Sequence, residues 1–185
     1  VLTFDHEHVP TEHLRRLAES GIAVRPGPEA LVHAQDKLAM RTRLGSVAGV
    51  PMPRWRPIGD GAELAGFAAE LGGWPVVLKT ARGGYDGKGV WLVESPAEAE
   101  PVLAAAAVRG TPLLAEEPVG FTRELAVLVA RSPHGQAAAY PVVQTVQQDG
   151  ICREVLAPAP GLSPARAAQA TRIALAIAAE LDVTG

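Results

Sequence analysis

The residues with the clearest chemical potential in this sequence form a glycine-rich stretch between two apolar runs. Residues 83–89 are Gly-Gly-Tyr-Asp-Gly-Lys-Gly, so four of the seven are glycine. Such stretches cost conformational entropy and are typical of sites where backbone amides approach an anion closely. Lys79 before the stretch and Lys88 within it supply positive charge. The pattern predicts a phosphate-binding loop, with a mobile hairpin tip as the alternative.

The stretch departs from the two common phosphate-binding motifs. The Walker pattern fails because no glycine lies five residues before Gly87, and because Gly89 follows Lys88 where that motif needs serine or threonine. The dinucleotide-binding glycine pattern opens a helix, whereas this stretch joins two predicted strands. Any phosphate site here therefore belongs to neither the Walker class nor the dinucleotide-binding class.

Charged residues elsewhere leave two interpretations open at each position. Lys79 ends a predicted buried strand, so its ammonium either reaches solvent or is directed at an anion. Lys37 follows Asp36 within a predicted helix and by itself indicates an exposed helix face. Residues 116–119 and Glu124 place carboxylates at a strand end. They indicate either an exposed turn or a backbone edge for a nucleotide base, with a carboxylate on ribose hydroxyls.

Metal and nucleophile chemistry have little support. His6 and His8 alternate along a predicted strand, so both could reach a metal, but no third ligand is evident. Cys152 is the only cysteine, which excludes an internal disulfide, and we expect a small buried residue rather than a nucleophile. No nucleophile elbow and no His-Glu-x-x-His pattern occurs.

Short local signals predict the elements that must position these residues. Asp60 with Glu63, and Ser95 with Glu98, predict capped helix starts, and residues 149–150 (Asp-Gly) predict a hairpin turn. Apolar runs and turn residues set the other boundaries. The predicted strands are 1–9, 22–24, 75–80, 90–93, 113–119, 124–131, 136–145 and 151–155. The predicted helices are 11–20, 29–48, 60–71, 95–108 and 163–181.

The composition is that of an ordinary globular protein. The chain has 185 residues, of which 48% are apolar and 20% charged, with a net charge of −3. That charge gives no reason to expect a nucleic-acid partner, and no apolar run reaches the roughly 18 residues of a membrane span. The first residues lack the pattern of a signal peptide, and there is no initiating methionine. We therefore expect a cytoplasmic protein without a membrane segment, and a piece of a longer chain.

Taken in chain order, these motifs resemble the 5-(carboxyamino)imidazole ribonucleotide synthases, a family of ligases in the ATP-grasp superfamily. The matching segments are 2–10, 36–37, 77–80, 83–89, 116–124 and 140–151. The most specific one is 79–89, where Tyr85-Asp86 separates this family from most ATP-grasp proteins.

The resemblance implies an α+β fold of the ATP-grasp type, in which antiparallel sheets are flanked by helices. The tail end of an α/β nucleotide-fold domain precedes it. Residues 1–28 would be the end of that first domain, and residues 29–119 a connecting helix with the small ATP-grasp lobe. Residues 120–185 would be the truncated start of the C-terminal lobe.

The resemblance also implies a reaction. Members use ATP to carboxylate 5-aminoimidazole ribonucleotide with bicarbonate, through carboxyphosphate, in de novo purine biosynthesis. ATP, bicarbonate and this ribonucleotide are then the small-molecule partners, and the full-length protein is expected to be a homodimer. Mg²⁺ is implied as well, with its ligands expected beyond residue 185. No metal ligand is therefore assigned within the chain, and the isolated chain is expected to be inactive.

Site residues follow from the resemblance, position by position. The cations that hold the ATP phosphates are matched by Lys37 and Lys79. The lid that closes over the phosphates is matched by Gly83, Gly84, Tyr85, Asp86, Gly87, Lys88 and Gly89. The adenine-binding segment is matched by Glu116, Glu117, Pro118 and Val119, and the ribose carboxylate by Glu124. Gln147 lies in the nucleotide pocket where many relatives carry histidine. The residues near bicarbonate and the imidazole substrate are matched by the catalytic candidates Tyr85 and Asp86, and by Arg153.

Two other functions stay open. Another ATP-grasp ligase, such as a formate-dependent purine transformylase, shares the scaffold but should lack Gly-Gly-Tyr-Asp-Gly in this form. A non-catalytic nucleotide-binding module would keep Lys79 and Glu124 but would need neither Tyr85 nor Asp86. Turnover with bicarbonate separates these possibilities.

Overall fold

The structure is a computed structural model that describes residues 1–84 and 87–185. Its helices are α1 (Thr11–Glu19), α2 (Pro28–Gln35), α3 (Lys37–Leu44), α4 (Gly61–Leu71), α5 (Pro96–Arg109) and α6 (Pro164–Glu180). Its strands are β1 (Trp55–Ile58), β2 (Val76–Thr80), β3 (Val90–Val93), β4 (Leu113–Glu116), β5 (Glu124–Ala126), β6 (Val129–Arg131), β7 (Ala137–Ala139), β8 (Val143–Gln148) and β9 (Ile151–Leu156). Within the described ranges, no helix is both long enough and apolar enough to cross a membrane.

A four-stranded antiparallel sheet, in the order β1-β4-β2-β3, forms the middle of the chain. Helices α4 and α5 cover one face, where buried apolar side chains alternate along the strands. On β2, Val76 and Leu78 are fully buried in this core, together with Leu64 of α4. Successive side chains of a strand point to opposite faces, so Val77 and Lys79 point away from the core. This alternation directs the Lys79 ammonium to the face without the two helices.

The two helices on this sheet begin where the local signals predicted. The Asp60 carboxylate accepts a hydrogen bond from the Glu63 amide at 2.9 Å, and the Ser95 hydroxyl accepts one from the Glu98 amide at 3.3 Å. Each helix is followed by a glycine in the left-handed conformation, which satisfies carbonyls of the last turn. The boundaries of α4 and α5 are therefore set by residues next to them in the chain.

The single helix predicted over 29–48 is wrong, because the chain forms two helices that break at Asp36. Asp36 is extended (φ −131°, ψ 108°), and its carboxylate caps α3 by accepting from the Ala39 amide at 3.1 Å. Its backbone also forms a β-bridge with Arg82. This tertiary contact outweighs local helix propensity, which is a weak determinant over so few residues. Lys37 is consequently the first residue of α3 and not a mid-helix residue.

The segment before α2 contains less strand than predicted. Residues 1–9 and 22–24 form only an isolated parallel bridge between Leu2 and Val24. Two segments this short, without further strands beside them, do not build a stable sheet. They are held instead by a small apolar cluster in which Leu14, Val24 and Leu31 are buried.

Residues 124–148 form the predicted antiparallel hairpin, but both of its long strands are interrupted. β5 pairs with β8 and β6 pairs with β7, so the two arms stay paired on either side of the gap. Pro141 lies in the gap and has no amide hydrogen to donate to a ladder. β8 and β9 are joined through Asp149 and Gly150, whose φ values of 53° and 75° confirm the predicted two-residue turn. Helix α6 packs against β6 and β7.

Candidate functional site

Three charged side chains from three elements meet on the sheet face opposite the core. Glu116, at the end of β4, accepts hydrogen bonds from Lys79 Nζ at 2.6 Å and from Arg41 Nε at 2.6 Å, one on each carboxylate oxygen. The strand register pairs Glu116 with Val77, so Lys79 reaches the carboxylate diagonally across the ladder. The Glu116 side chain is only 4% exposed, against 18% for Arg41 and 23% for Lys79. The interpretation of Glu116 as part of an exposed turn is therefore wrong.

Glu116 is held in its ionised form by this arrangement. Burial by itself would raise the pKa of its carboxyl, but the hydrogen bonds from Arg41 and Lys79 outweigh burial and lower that pKa below its ordinary value. Two cations and one carboxylate leave the cluster with a net positive charge. We call these three residues, Arg41, Lys79 and Glu116, the charged triad.

Helix α3 begins against the segment that leads into the glycine-rich stretch. The Lys37 amide donates to the Ala81 carbonyl at 2.8 Å, and Lys37 Nζ donates to the Gly83 carbonyl at 2.9 Å. Asp36 uses one carboxylate oxygen to cap α3 and accepts from Arg82 Nε on the other at 2.8 Å. These contacts hold the start of α3 and residues 81–83 together.

Lys37 and Lys79 lie close enough for their charges to interact. Burial lowers the pKa of the Lys37 ammonium, and the positive charge of Lys79 lowers it further. An anion bound beside both lysines would offset this repulsion. The structure thus brings the two predicted phosphate-binding lysines together at the root of the glycine-rich stretch, and their role stays a prediction.

Three glycines of the stretch (Gly84, Gly87 and Gly89) occupy positions where a side chain would not fit, and the last two contact residues outside the stretch. Gly89 has a φ of 73°, and a Cβ there would lie 2.6 Å from the Thr80 hydroxyl oxygen. Gly87 has a φ of 76°, and a Cβ there would lie 2.8 Å from the carbonyl oxygen of Asp149 in the β8–β9 turn. The first contact closes the β2–β3 hairpin at its base. The second places the stretch directly against the hairpin of another sheet.

The predicted adenine and ribose residues lie on two different sheets. Glu117 follows β4 and pairs with Arg54, whose Nε lies 2.8 Å from Glu117 Oε2. The backbone amide of Arg54, together with its side chain, lowers the pKa of the Glu117 carboxyl. Pro118 and Val119 are exposed, and Glu124 is half-buried at the start of β5. The segment between Glu117 and Glu124 therefore connects the four-stranded sheet to the sheet formed by β5, β8 and β9.

Gln147 and Arg153 are both exposed on the β8–β9 hairpin. The register pairs Val146 with Glu154 and Gln147 with Cys152, so Arg153 is the extra residue of a β-bulge. Cys152 is exposed, and the prediction that it is buried is wrong. Its strand β9 lies at the edge of the three-stranded sheet, with little packed over it.

The predicted catalytic and substrate residues Tyr85 and Asp86 lie outside the described residues. His6 and His8 have ring centroids 5.9 Å apart, but they lie in a turn and not on the predicted strand. Across residues 1–84 and 87–185, no group of three His, Cys, Asp or Glu side chains could hold a metal ion.

A cleft of about 680 Å³ lies beside the root of the glycine-rich stretch. The N-terminal segment, α1 and α2 form one side, and residues 82–84 form the other. Its charged lining residues are Glu7, Glu12, Arg15, Glu29, Lys37 and Arg82. This volume is typical of small-molecule sites. Lys37 lines the cleft and also lies near Lys79.

Sequence reasoning missed Arg41 and Arg82. Arg41 follows Lys37 by four positions, so both lie on one face of a helix, and that spacing is a signal that could have found it. Arg82 lies next to the glycine-rich stretch, but its partner Asp36 is 46 residues away. No local pattern predicts that pair.

The family model for the ATP-grasp domain matches residues 44–185, which is most of the chain. The chain therefore belongs to the ATP-grasp family.

Within that family the chain is similar to proteins named N5-carboxyaminoimidazole ribonucleotide synthase. It is 54% identical to the one from Mycobacterium leprae and 47% identical to the one from Corynebacterium ammoniagenes, in each case over 100% of this chain. It covers 43% and 44% of those two proteins, so it spans less than half the length of these curated relatives.

Solved structures of carboxyaminoimidazole ribonucleotide synthase from Aspergillus clavatus share this fold. One, complexed with ATP, has a TM-score of 0.88 and 34% identity over 99% of this chain and 47% of that one. Another, in complex with ADP and 5-aminoimidazole ribonucleotide, has a TM-score of 0.87 and 33% identity over 100% of this chain and 47% of that one. The likeness confirms the predicted α+β ATP-grasp fold.

Proposed function

We propose that the protein containing this chain is an ATP-dependent ligase that carboxylates 5-aminoimidazole ribonucleotide with bicarbonate in purine biosynthesis. The observation that carries the proposal is that Lys37 Nζ donates to the carbonyl of Gly83 in the glycine-rich stretch, while Lys79 lies opposite Val90, directly after that stretch. The names of the relatives, and the ATP and aminoimidazole ribonucleotide in the two fungal structures, support the choice of substrates.

The nucleotide would lie on the sheet face that carries Lys79. The two lysines would neutralise its phosphates, because phosphoryl transfer depends mainly on positioning and charge stabilisation. Glu116, Glu117, Pro118 and Val119 would contribute the backbone edge for adenine, and Glu124 and Gln147 would contact the nucleoside from the second sheet. Residues 83–89 would cover the phosphates and exclude water from the reactive intermediate.

The chemistry then proceeds in two steps. A bicarbonate oxygen attacks the γ-phosphorus of ATP, the bond to the β,γ-bridging oxygen breaks, and ADP leaves, which forms carboxyphosphate. The amine of aminoimidazole ribonucleotide attacks the carboxyl carbon, loses a proton, and phosphate departs. Mg²⁺ would offset charge on the terminal phosphates, with its ligands expected beyond residue 185, and we assign it no step within this chain.

We place the acceptor ribonucleotide in the cleft between the N-terminal segment and residues 82–84. Its lining includes the cations Lys37 and Arg82, which suit a phosphate monoester, whereas Arg15 is paired with the lining carboxylates Glu12 and Glu29. Lys37 lines this cleft and also lies near Lys79, so an acceptor in the cleft would lie next to the nucleotide phosphates. Tyr85 and Asp86 continue the chain directly after Gly84, and with Arg153 they are our candidates for contacts to bicarbonate and the imidazole.

The test of the nucleotide site is the affinity of the complete gene product for ATP, measured by calorimetry. Replacing Lys79 with alanine removes one charge-assisted contact, so we expect Lys79→Ala to weaken ATP binding about 10- to 100-fold. Arg56→Ala is the matched control, because Arg56 lies on the same sheet but contacts Glu70 and Phe67 of α4 on the core side. Equal affinity in Lys79→Ala and the parent would contradict the assignment.

The test of the reaction is phosphate release from ATP by the same protein. We expect release that requires both bicarbonate and aminoimidazole ribonucleotide. Release that needs formate in place of bicarbonate would favour a transformylase. Tight ATP binding without release under any of these conditions would favour a non-catalytic nucleotide-binding module, and either result would overturn the proposed reaction.

A further inference from the structure

The position of Arg41 in the charged triad raises the question of what this residue does for Lys79. Arg41 Nε and Lys79 Nζ bind opposite oxygens of the same carboxylate, each at 2.6 Å. Glu116 is therefore the counter-ion of both cations. Arg41 comes from α3, whereas Lys79 and Glu116 come from neighbouring strands. The arrangement joins the helix that carries Lys37 to the strand that carries Lys79.

Charge balance shows why a second cation matters here. Lys79 and Glu116 alone would form a neutral pair, and a neutral pair offers little attraction to a phosphate. With Arg41 on the other oxygen, the triad carries a net positive charge. The carboxylate is almost fully buried, so water does little to screen it from Lys79. Neutralisation of Glu116 must therefore come from Arg41. Among the described residues, Arg41 is the only cation besides Lys79 that forms a hydrogen bond with the Glu116 carboxylate.

We propose that Arg41 is a positioning residue for the nucleotide phosphates, which acts through Glu116 to keep the charge of Lys79 available and its ammonium in place. The proposal rests on the proposed function, because it takes Lys79 as a phosphate-binding group. Arg41 itself need not touch the nucleotide. Its guanidinium fixes Glu116, and Glu116 fixes the ammonium of Lys79.

The experiment compares the binding of ADP and adenosine to the complete gene product by calorimetry in the presence of Mg²⁺. We expect Arg41→Gln to weaken ADP binding about tenfold, the size of one charge-assisted contact, and to leave adenosine binding within roughly twofold of the parent. Arg41→Lys keeps a cation against Glu116 and should restore most of the ADP affinity. A purely structural role for Arg41 would weaken both ligands alike, and that result would overturn the proposal.

Arg43→Gln is the matched control on the same helix. Arg43 also pairs with a glutamate, at 2.8 Å from Glu180, but it is 55% exposed and lies away from the triad. ADP affinity should not change in this variant. An equal loss in Arg43→Gln and Arg41→Gln would indicate a general effect of charge and would count against the proposal.

A double-mutant cycle separates action through Glu116 from direct contact with phosphate. In the Glu116→Gln background there is no carboxylate to neutralise, so adding Arg41→Gln should leave ADP affinity nearly unchanged. A further large loss in the double variant would mean that Arg41 binds phosphate directly. If Arg41→Gln alone does not fold, the comparison of Glu116→Gln with the double variant still tests the proposal. The double variant can fold because it buries no unpaired carboxylate.

Failure of the proposed function has a different signature. If the unsubstituted protein binds neither ATP nor ADP, the nucleotide site is wrong, and the role of Arg41 falls with it. If the parent binds ADP and Lys79→Ala weakens it while Arg41→Gln does not, only the role of Arg41 is wrong.

Discussion

Replacing Glu116 with glutamine should destabilise the fold more than any other single loss of charge in the described residues. The variant keeps the shape of the side chain but leaves Arg41 and Lys79 without their shared carboxylate. Removing one partner of a buried ion pair typically costs about 3–5 kcal/mol. Both cations keep some access to water, and the amide oxygen can still accept one hydrogen bond. We therefore expect a loss of about 3 kcal/mol, at the lower end of that range.

Urea unfolding at pH 7, followed by tryptophan fluorescence, measures this loss. With a denaturant dependence of about 2–3 kcal/mol per molar, the midpoint of Glu116→Gln should fall by about 1 M or more. Glu70→Gln is the matched control, since Glu70 pairs with Arg56 at 2.8 Å on the protein surface, where such pairs contribute about 0–1 kcal/mol. Equal midpoints for the parent and Glu116→Gln would refute the account of the triad.

The pH dependence of the difference is a second check. The pKa of Glu116 lies below its ordinary value of 4.5 in the folded protein, so the carboxylate contributes its full stabilisation above about pH 4.5. That contribution is lost as the pH falls through the lowered pKa. The stability gap between the parent and Glu116→Gln should therefore be constant near neutral pH and should shrink below pH 4.5. A gap that does not change with acidification would mean that the carboxylate is not the source of the effect.

Three further changes test the scaffold. Ser95→Ala removes the hydroxyl that caps α5 and should cost about 1 kcal/mol in urea unfolding, whereas Ser95→Gly should cost less; no difference from the parent would show that the cap is unused. Leu64→Ala opens a cavity where the side chain is 1% exposed, and should cost about 2–5 kcal/mol by the same measurement; a loss below 1 kcal/mol would contradict the described core. Gly87→Ala puts a Cβ 2.8 Å from the Asp149 carbonyl and strains a φ of 76°, so hydrogen exchange of the β8–β9 turn should speed up; unchanged exchange would argue against that contact.

Much of the fold follows from signals that act over a few residues. The starts of α4 and α5 depend on Asp60 and Ser95, each of which accepts a hydrogen bond from an amide three positions on. The β8–β9 turn depends on Asp149 and Gly150, which tolerate positive φ. Such interactions join residues that are close in the sequence, so the sequence alone was sufficient to predict them.

Other features depend on which distant segments meet. The break at Asp36 has only part of its cause nearby, since Asp36 caps α3 through the Ala39 amide but also pairs with Arg82, 46 positions away. The second arm of the 124–148 hairpin is interrupted around Pro141, whose position was evident, but the matching interruption of the first arm was not. A strand of residues 1–9 was predicted from apolar pattern, but a ladder needs neighbouring strands, and the described chain offers only Val24 as a bridge.

For the candidate site, the sequence by itself determined which residue types were present: two lysines and a glycine-rich stretch between strands. Tertiary structure decided how they are used. Arg41 and Glu116 are 75 positions apart, and only folding brings the guanidinium onto a carboxylate that also holds Lys79. The physical reason is that the strength of a charge interaction depends on the distance between the groups and on their burial. For these three side chains, both are fixed only when β2 pairs with β4 and α3 packs against them.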